Sequence, residues 1–205
     1  MGKKILAVVF MAMLACALTA QLAYASTLDL IGVGWTKSTL TVLIKAPGSV
    51  SSTAKSDVEA AINDWNAADA GVSGAPFMDV VTGVKTADIT IRMKVGGGSV
   101  LGQTMTKTES PFSPITKSVS IQLSGKAFGS SFSDAGTGNV ARHELGHALG
   151  LGHGDDPDDL MYAYADNSEI FGSTVVGISA CDILGIDTIY PFESPYTLPG
   201  SVTCP

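Results

Sequence analysis

All the histidines of this 205-residue chain fall in one short stretch, His143-Glu144-Leu145-Gly146-His147-Ala148-Leu149-Gly150-Leu151-Gly152-His153. Residues from about Asn139 to Leu149 form an apolar segment that ends at Gly150, which predicts a helix stopped by a glycine. Residues four apart share one helix face and lie about 6 Å apart along the axis, so His143 and His147 can reach one tetrahedral ion. Two imidazoles alone under-hold a metal, and the sharp turn open to Gly150 would swing His153 back as third ligand. The expected centre is therefore one catalytic zinc ion on His143, His147 and His153 with a fourth position left for water. A closed structural site would need another His or Cys, none lies close by in sequence, and Cys204 would reach the metal only by folding back.

Neutral nitrogen ligands and an open position lower the pKa of a zinc-bound water towards 7. Glu144 follows the first ligand in sequence but projects beside the metal rather than onto it. It is the candidate general base, taking the water's proton during attack on a scissile carbonyl and passing it to the leaving amine. The expected chemistry is peptide hydrolysis without a covalent intermediate.

The first 25 residues set the compartment. Lys3 and Lys4, an apolar run from Ile5 to about Leu18, and Ala23-Tyr24-Ala25 before Ser26 have the order of an export signal cleaved after Ala25. The run falls short of the roughly 20 apolar residues that cross a bilayer. The expectation is a secreted protein with no stable membrane association, residues 26–205 forming a single domain and a monomer. Loss of Lys3 and Lys4 would take the formal charge from -7 to -9, which argues against nucleic acid and anionic lipid as partners. Cys181 and Cys204 would remain, an even pair that outside the cell suits a disulfide better than a metal site, with two inert thiols as the alternative. Such a bridge would contribute about 3 kcal/mol by chain entropy.

The rest of the chain alternates between strand and helix patterns. Strands are expected over 36–45, 77–81, 88–95 and 118–123, with 100–106 as an edge strand, because β-branched and apolar residues alternate there. Ser51 to Ala70 carries Val58, Ala61, Ile62 and Trp65 at helical spacing, and Ala180 to Tyr190 carries Ile183, Leu184, Ile186 and Ile189, so both read as helices. Trp35, Trp65 and Tyr190 read as core aromatics. Gly96-Gly97-Gly98 lacks the continuation of a phosphate loop and reads as a turn. The Gly- and Ser-rich stretch 124–138 reads as a connection into the motif helix.

The stretch 143–153 resembles the extended zinc signature of the metzincin peptidases, H-E-x-x-H-x-x-G-x-x-H, and within them the matrixins. Leu160-Met161-Tyr162 stands where matrixins have a methionine turn, which makes Met161 the apolar floor beneath the metal. Residues 182–190, DILGIDTIY, are similar to the matrixin closing helix, where Asp182 would support that turn by hydrogen bonding. The resemblance implies an α+β metzincin domain: a twisted five-stranded mixed sheet with an active-site helix, a backing helix and a C-terminal helix. It implies a zinc-dependent endopeptidase acting on protein or peptide substrates. Ala163 replaces the usual Pro in the wall of the specificity pocket, and Cys181 replaces the first acid of an Asp-Asp pair, where a disulfide would anchor the helix instead. No histidines remain for a second, structural zinc, and no latency cysteine lies between Ala25 and Thr36. Ala163 also stands where an astacin would carry a ligating tyrosine.

Asp155, Asp156, Asp158 and Asp159 crowd the loop after His153; their oxygens suit Ca2+ or a cationic substrate, and equally a solvated acidic turn. Two other functions fit the same residues: a non-catalytic extracellular zinc-binding protein on this fold, and a zinc amidase acting on cell-wall peptides.

Overall fold

The computed structural model describes residues 25–193 and 198–205, so the export-signal reading, which concerns residues 1–24, lies outside the described residues. In chain order the elements are β1 (Thr27–Leu30), β2 (Thr39–Lys45), α1 (Ser52–Ala68), β3 (Phe77–Val80), β4 (Ile89–Met93), β5 (Gly102–Thr108) and β6 (Thr116–Leu123). There follow a small hairpin, β7 (Lys126–Ala127) with β8 (Ser130–Ser131), then α2 (Asp134–Leu149), β9 (Leu151–Gly154), α3 (Asn167–Ile170), α4 (Ala180–Ile189) and β10 (Ser201–Thr203).

The main sheet has five strands in the order β3-β2-β4-β6-β5, parallel throughout except for the antiparallel edge strand β5. It is the α+β architecture with a mixed five-stranded sheet that the resemblance implies. Alternation decides which face is inside: Leu40 and Val42 on β2, Ile89, Ile91 and Met93 on β4, and Val119, Ile121 and Leu123 on β6 are all buried, because side chains two apart share a face. β5 carries no fully buried residue, as suits a strand paired on one side only.

α1 is the backing helix. Ser51 caps it by accepting from the Ala54 N–H at 3.0 Å, and its face of Val58, Ala61, Ile62 and Trp65 is buried against α2. α2 begins at Asp134, earlier than the expected Asn139. Ser133 caps it, accepting from the Gly136 N–H at 2.9 Å, and a Cβ at Gly136 would run into the Ile170 backbone carbonyl. The first turn needs small residues for this close approach, so its composition reads as a loop.

The expected core aromatics also donate hydrogen bonds to α2. The indole N–H groups of Trp65 and Trp35 reach the carbonyls of Arg142 at 2.9 Å and Ala148 at 2.8 Å, and the Tyr190 hydroxyl reaches that of Leu149 at 3.0 Å. Two of these acceptors belong to the last turn, whose carbonyls have no partner within the helix.

A second sheet, of three strands in the order β10-β1-β9, is antiparallel throughout and joins both ends of the described chain to the strand that carries His153. Cys204 follows β10 and is joined Sγ to Sγ with Cys181 at the start of α4, their Cα atoms 5.0 Å apart. The Cys204 N–H donates to the Ser26 carbonyl at 2.8 Å.

One buried acid gives the fold a pH dependence. Asp69, just beyond α1, is 4% exposed, and its Oδ2 has no hydrogen-bond partner; burial pushes its carboxyl up to about 6. A folded-state pKa above the unfolded value means that the neutral acid is favoured in the fold, so the cost of holding the charge appears as pH rises from about 4 and is complete above about 6. Asp69→Asn removes that cost. Its Tm advantage over the parent is expected to grow between pH 4 and pH 7; a difference independent of pH would show that Asp69 stays ionised in the fold.

Candidate metal centre

The helix α2 presents His143 and His147, both half-buried, and ends in Gly150 at φ +111°, a left-handed conformation that disfavours any side chain. A Cβ there would also lie 2.6 Å from the Val33 carbonyl oxygen. The chain turns at once into β9, which brings His153 back to the first two. Ring centroids are 4.7 Å apart for His143 and His147, 5.4 Å for His143 and His153, and 4.8 Å for His147 and His153. One ligand nitrogen from each lies within 4.8 Å of the others.

The tautomers follow from the partners. Nδ1 of His143 lies 2.8 Å from the Leu160 carbonyl oxygen, and Nδ1 of His147 lies 2.8 Å from that of Leu151. A carbonyl only accepts, so each Nδ1 carries the proton and donates it, leaving the Nε2 lone pair free for a metal. Burial, then the neighbouring His147, depresses the His143 pKa to about 4, and burial likewise lowers that of His147. Neutral imidazoles with oriented lone pairs and an oriented outer shell fit zinc.

Beneath the three histidines, Met161 is fully buried. Gly146 makes room for it: a Cβ at that position would collide with the Met161 sulfur and come 3.2 Å from Cζ2 of Trp65. The turn is pinned to the strand that carries His153, for the Gly154 N–H donates to the Met161 carbonyl at 2.9 Å. Asp182, also fully buried, accepts the Ser179 N–H on Oδ2 at 2.7 Å within the capping box of α4. Its Oδ1 makes no well-aligned hydrogen bond. Burial raises its carboxyl to about 6, while Ser179 and, among smaller effects, the Met161 amide favour the ionised form.

Glu144 is 5% exposed and leans on the edge strand β5. Its Oε2 accepts from the Thr104 hydroxyl at 2.6 Å, and a Cβ at Gly102 would strike its Oε1. Burial raises its carboxyl to about 7, the Thr104 hydrogen bond acting in the opposite direction. Neither Thr104 nor Gly102 stands out in the sequence, because nothing in the spacing links residues on a strand to a helix some forty positions on.

These groups border a cleft of about 460 Å³. Its wall includes Ala163, the departure noted in the sequence, and the exposed rings of Phe128 and Tyr164. Asn139 organises the wall from beneath. Buried on α2, it donates from Nδ2 to the carbonyls of Glu169 at 2.9 Å and Thr174 at 2.8 Å, and its Oδ1 accepts the Val176 N–H at 2.9 Å. Sequence reading gave Asn139 only as a helix boundary.

The acidic run after His153 has local partners. Asp155 accepts the Thr27 N–H at 2.7 Å and its hydroxyl at 3.0 Å, and Oδ1 of Asp156 accepts the Asp158 N–H at 3.0 Å. Asp159 lies by the Cys181–Cys204 pair instead.

Residues 34–191 match the family model described as Matrixin. Among curated proteins, matrix metalloproteinase-2 of Drosophila melanogaster is 42% identical over 52 residues, 25% of this chain and 6% of that protein. Matrilysin of Rattus norvegicus is 47% identical over 53 residues, 25% of this chain and 18% of the relative. Macrophage metalloelastase of Oryctolagus cuniculus is 46% identical over 54 residues, again 25% of this chain and 10% of the relative. The matched segment thus spans less than a fifth of the length of each. Among solved structures, myroilysin superposes with a TM-score of 0.50 over 81% of this chain and 99% of its own, at 15% identity, a likeness of fold alone.

Proposed function

The chain belongs to the matrixin family, and from that premise we propose that it is a secreted zinc endopeptidase whose peptidase domain is residues 26–205. His143, His147 and His153 would hold the metal, and Glu144 would be its general base. The observation that carries the reading is the pairing of two Nδ1–H···O=C contacts at 2.8 Å, which aim the histidines, with a buried carboxylate beside them in one cleft. When bound, zinc supplies Lewis-acid chemistry, acidifying water and polarising a carbonyl.

The chain's own residues do the rest. Glu144, through the carboxylate oxygen not engaged by Thr104, takes the proton of the attacking water and delivers it to the departing amine. Met161 and Gly146 close the underside against water. The matrixin family and the cleft beside the histidines support proteins and peptides as the proposed substrates. Export rests on the pattern of the first 25 residues; among the described residues no helix is long and apolar enough to cross a membrane.

Hydrolysis of an unstructured protein by the purified protein, with and without a zinc chelator, tests the proposal. Internal cleavage abolished by the chelator and restored by added zinc is expected. Stoichiometric zinc binding without cleavage would favour a binding protein, and turnover confined to cell-wall peptides would favour an amidase.

A further inference from the structure

We propose that Thr104 is a positioning residue that holds the Glu144 carboxylate in its working orientation. This rests on the reading of Glu144 as general base. Glu144 is buried yet has no Lys or Arg partner among the described residues, and the one side-chain donor to its carboxylate there is the Thr104 hydroxyl at 2.6 Å. The same hydroxyl lies 3.0 Å from the Glu144 backbone carbonyl. A hydroxyl has a single proton to give, and the shorter, charge-assisted contact takes it.

The strand makes this contact rigid. Thr104 is paired across the ladder with Ile121, a fully buried residue of β6, and its β-branch restricts the hydroxyl's rotation about χ1. Gly102 is two residues away and so on the same face of β5; having no Cβ, it leaves the space that Oε1 enters. One position of the edge strand thus admits the carboxylate and the next on that face holds it. A glutamate side chain would otherwise sample several rotamers, and misplacement of a catalytic group by about 1 Å can cost a hundredfold in rate.

Two substitutions separate this role from packing. Thr104→Val keeps the shape and the branch but loses the hydroxyl; Thr104→Ser keeps the hydroxyl. With a fluorogenic peptide, Thr104→Val is expected to lower kcat by about ten- to a hundredfold with KM within about twofold, whereas Thr104→Ser stays within about threefold of the parent. Crystal structures of the zinc-loaded parent and variants give a readout independent of turnover: the carboxylate should leave its place against Gly102 in Thr104→Val and keep it in Thr104→Ser. Unchanged kcat in Thr104→Val, a change confined to KM, or a carboxylate that keeps its place without the hydroxyl would overturn the proposal. A parent that hydrolyses nothing overturns the endopeptidase reading instead, and the carboxylate's position then still decides the role of Thr104.

Discussion

Glu144→Gln is expected to lower kcat by about 10²- to 10⁴-fold, the range over which a positioned general base acts, while zinc content stays at the parent's level. The substitution keeps the length and volume of the side chain, and the Thr104 hydroxyl can still donate to the Gln oxygen. His143 and His147 are aimed by the backbone carbonyls of Leu160 and Leu151, and His153 is carried by β9, none of them by Glu144, so the metal site should survive. What disappears is an oxygen basic enough to take a proton. Stability should change in the opposite sense. Without zinc, burial raises the Glu144 carboxyl to about 7, so the cost of holding its charge grows as pH rises from about 4.5 and is complete above about 7, and a neutral amide removes it. Melting of the zinc-free protein at pH 8 is thus expected at the parent's temperature or higher. Kinetics and zinc analysis, with melting after zinc removal, check all three statements; hydrolysis within tenfold of the parent would remove Glu144 from the mechanism.

Trp65→Ala is expected to cost about 3–5 kcal/mol of folding stability, as large-to-small changes at buried aromatics do. That is a large share of the total stability of an ordinary domain, roughly 5–15 kcal/mol. Trp65 is fully buried between α1 and α2. Its indole donates to the carbonyl of Arg142, the residue before the first ligand, and its ring backs Gly146 between the two helical ligands. The cavity would open directly behind the metal, so zinc affinity should fall together with stability. Trp65→Phe keeps a ring in the site but loses the N–H and part of the indole's volume, and should cost less, about 2–3 kcal/mol. Urea midpoints and a competitive zinc titration measure both quantities; a loss below about 1 kcal/mol for Trp65→Ala would mean that the helices close over the gap.

Most of the main sheet is legible in the sequence because one physical rule, alternation of buried and exposed residues, acts along each strand separately. Ile89, Ile91 and Met93 illustrate it. The start of α2 is not legible, because residues 134–138 are small for the sake of contacts with Ile170 and α1, and small residues carry no periodicity. β1, β9 and β10 pass unnoticed for a related reason. Each is only three or four residues long, too short for a pattern, and each becomes a strand through partners that come from opposite ends of the chain.

The sequence by itself determined the candidate ligands, the adjacent acid and the glycine at the turn, and through the family resemblance the methionine beneath, since all lie within twenty residues and helix geometry alone brings the first of them together. Only the tertiary structure decided how the acid is held and how the third ligand is supported. Thr104 reaches Glu144 from another element, and the strand of His153 is paired to β1, itself paired to the strand that leads into Cys204. Local rules govern contacts a few residues apart, whereas these depend on which distant segments bury their apolar faces against each other, and that is settled only when the whole core assembles.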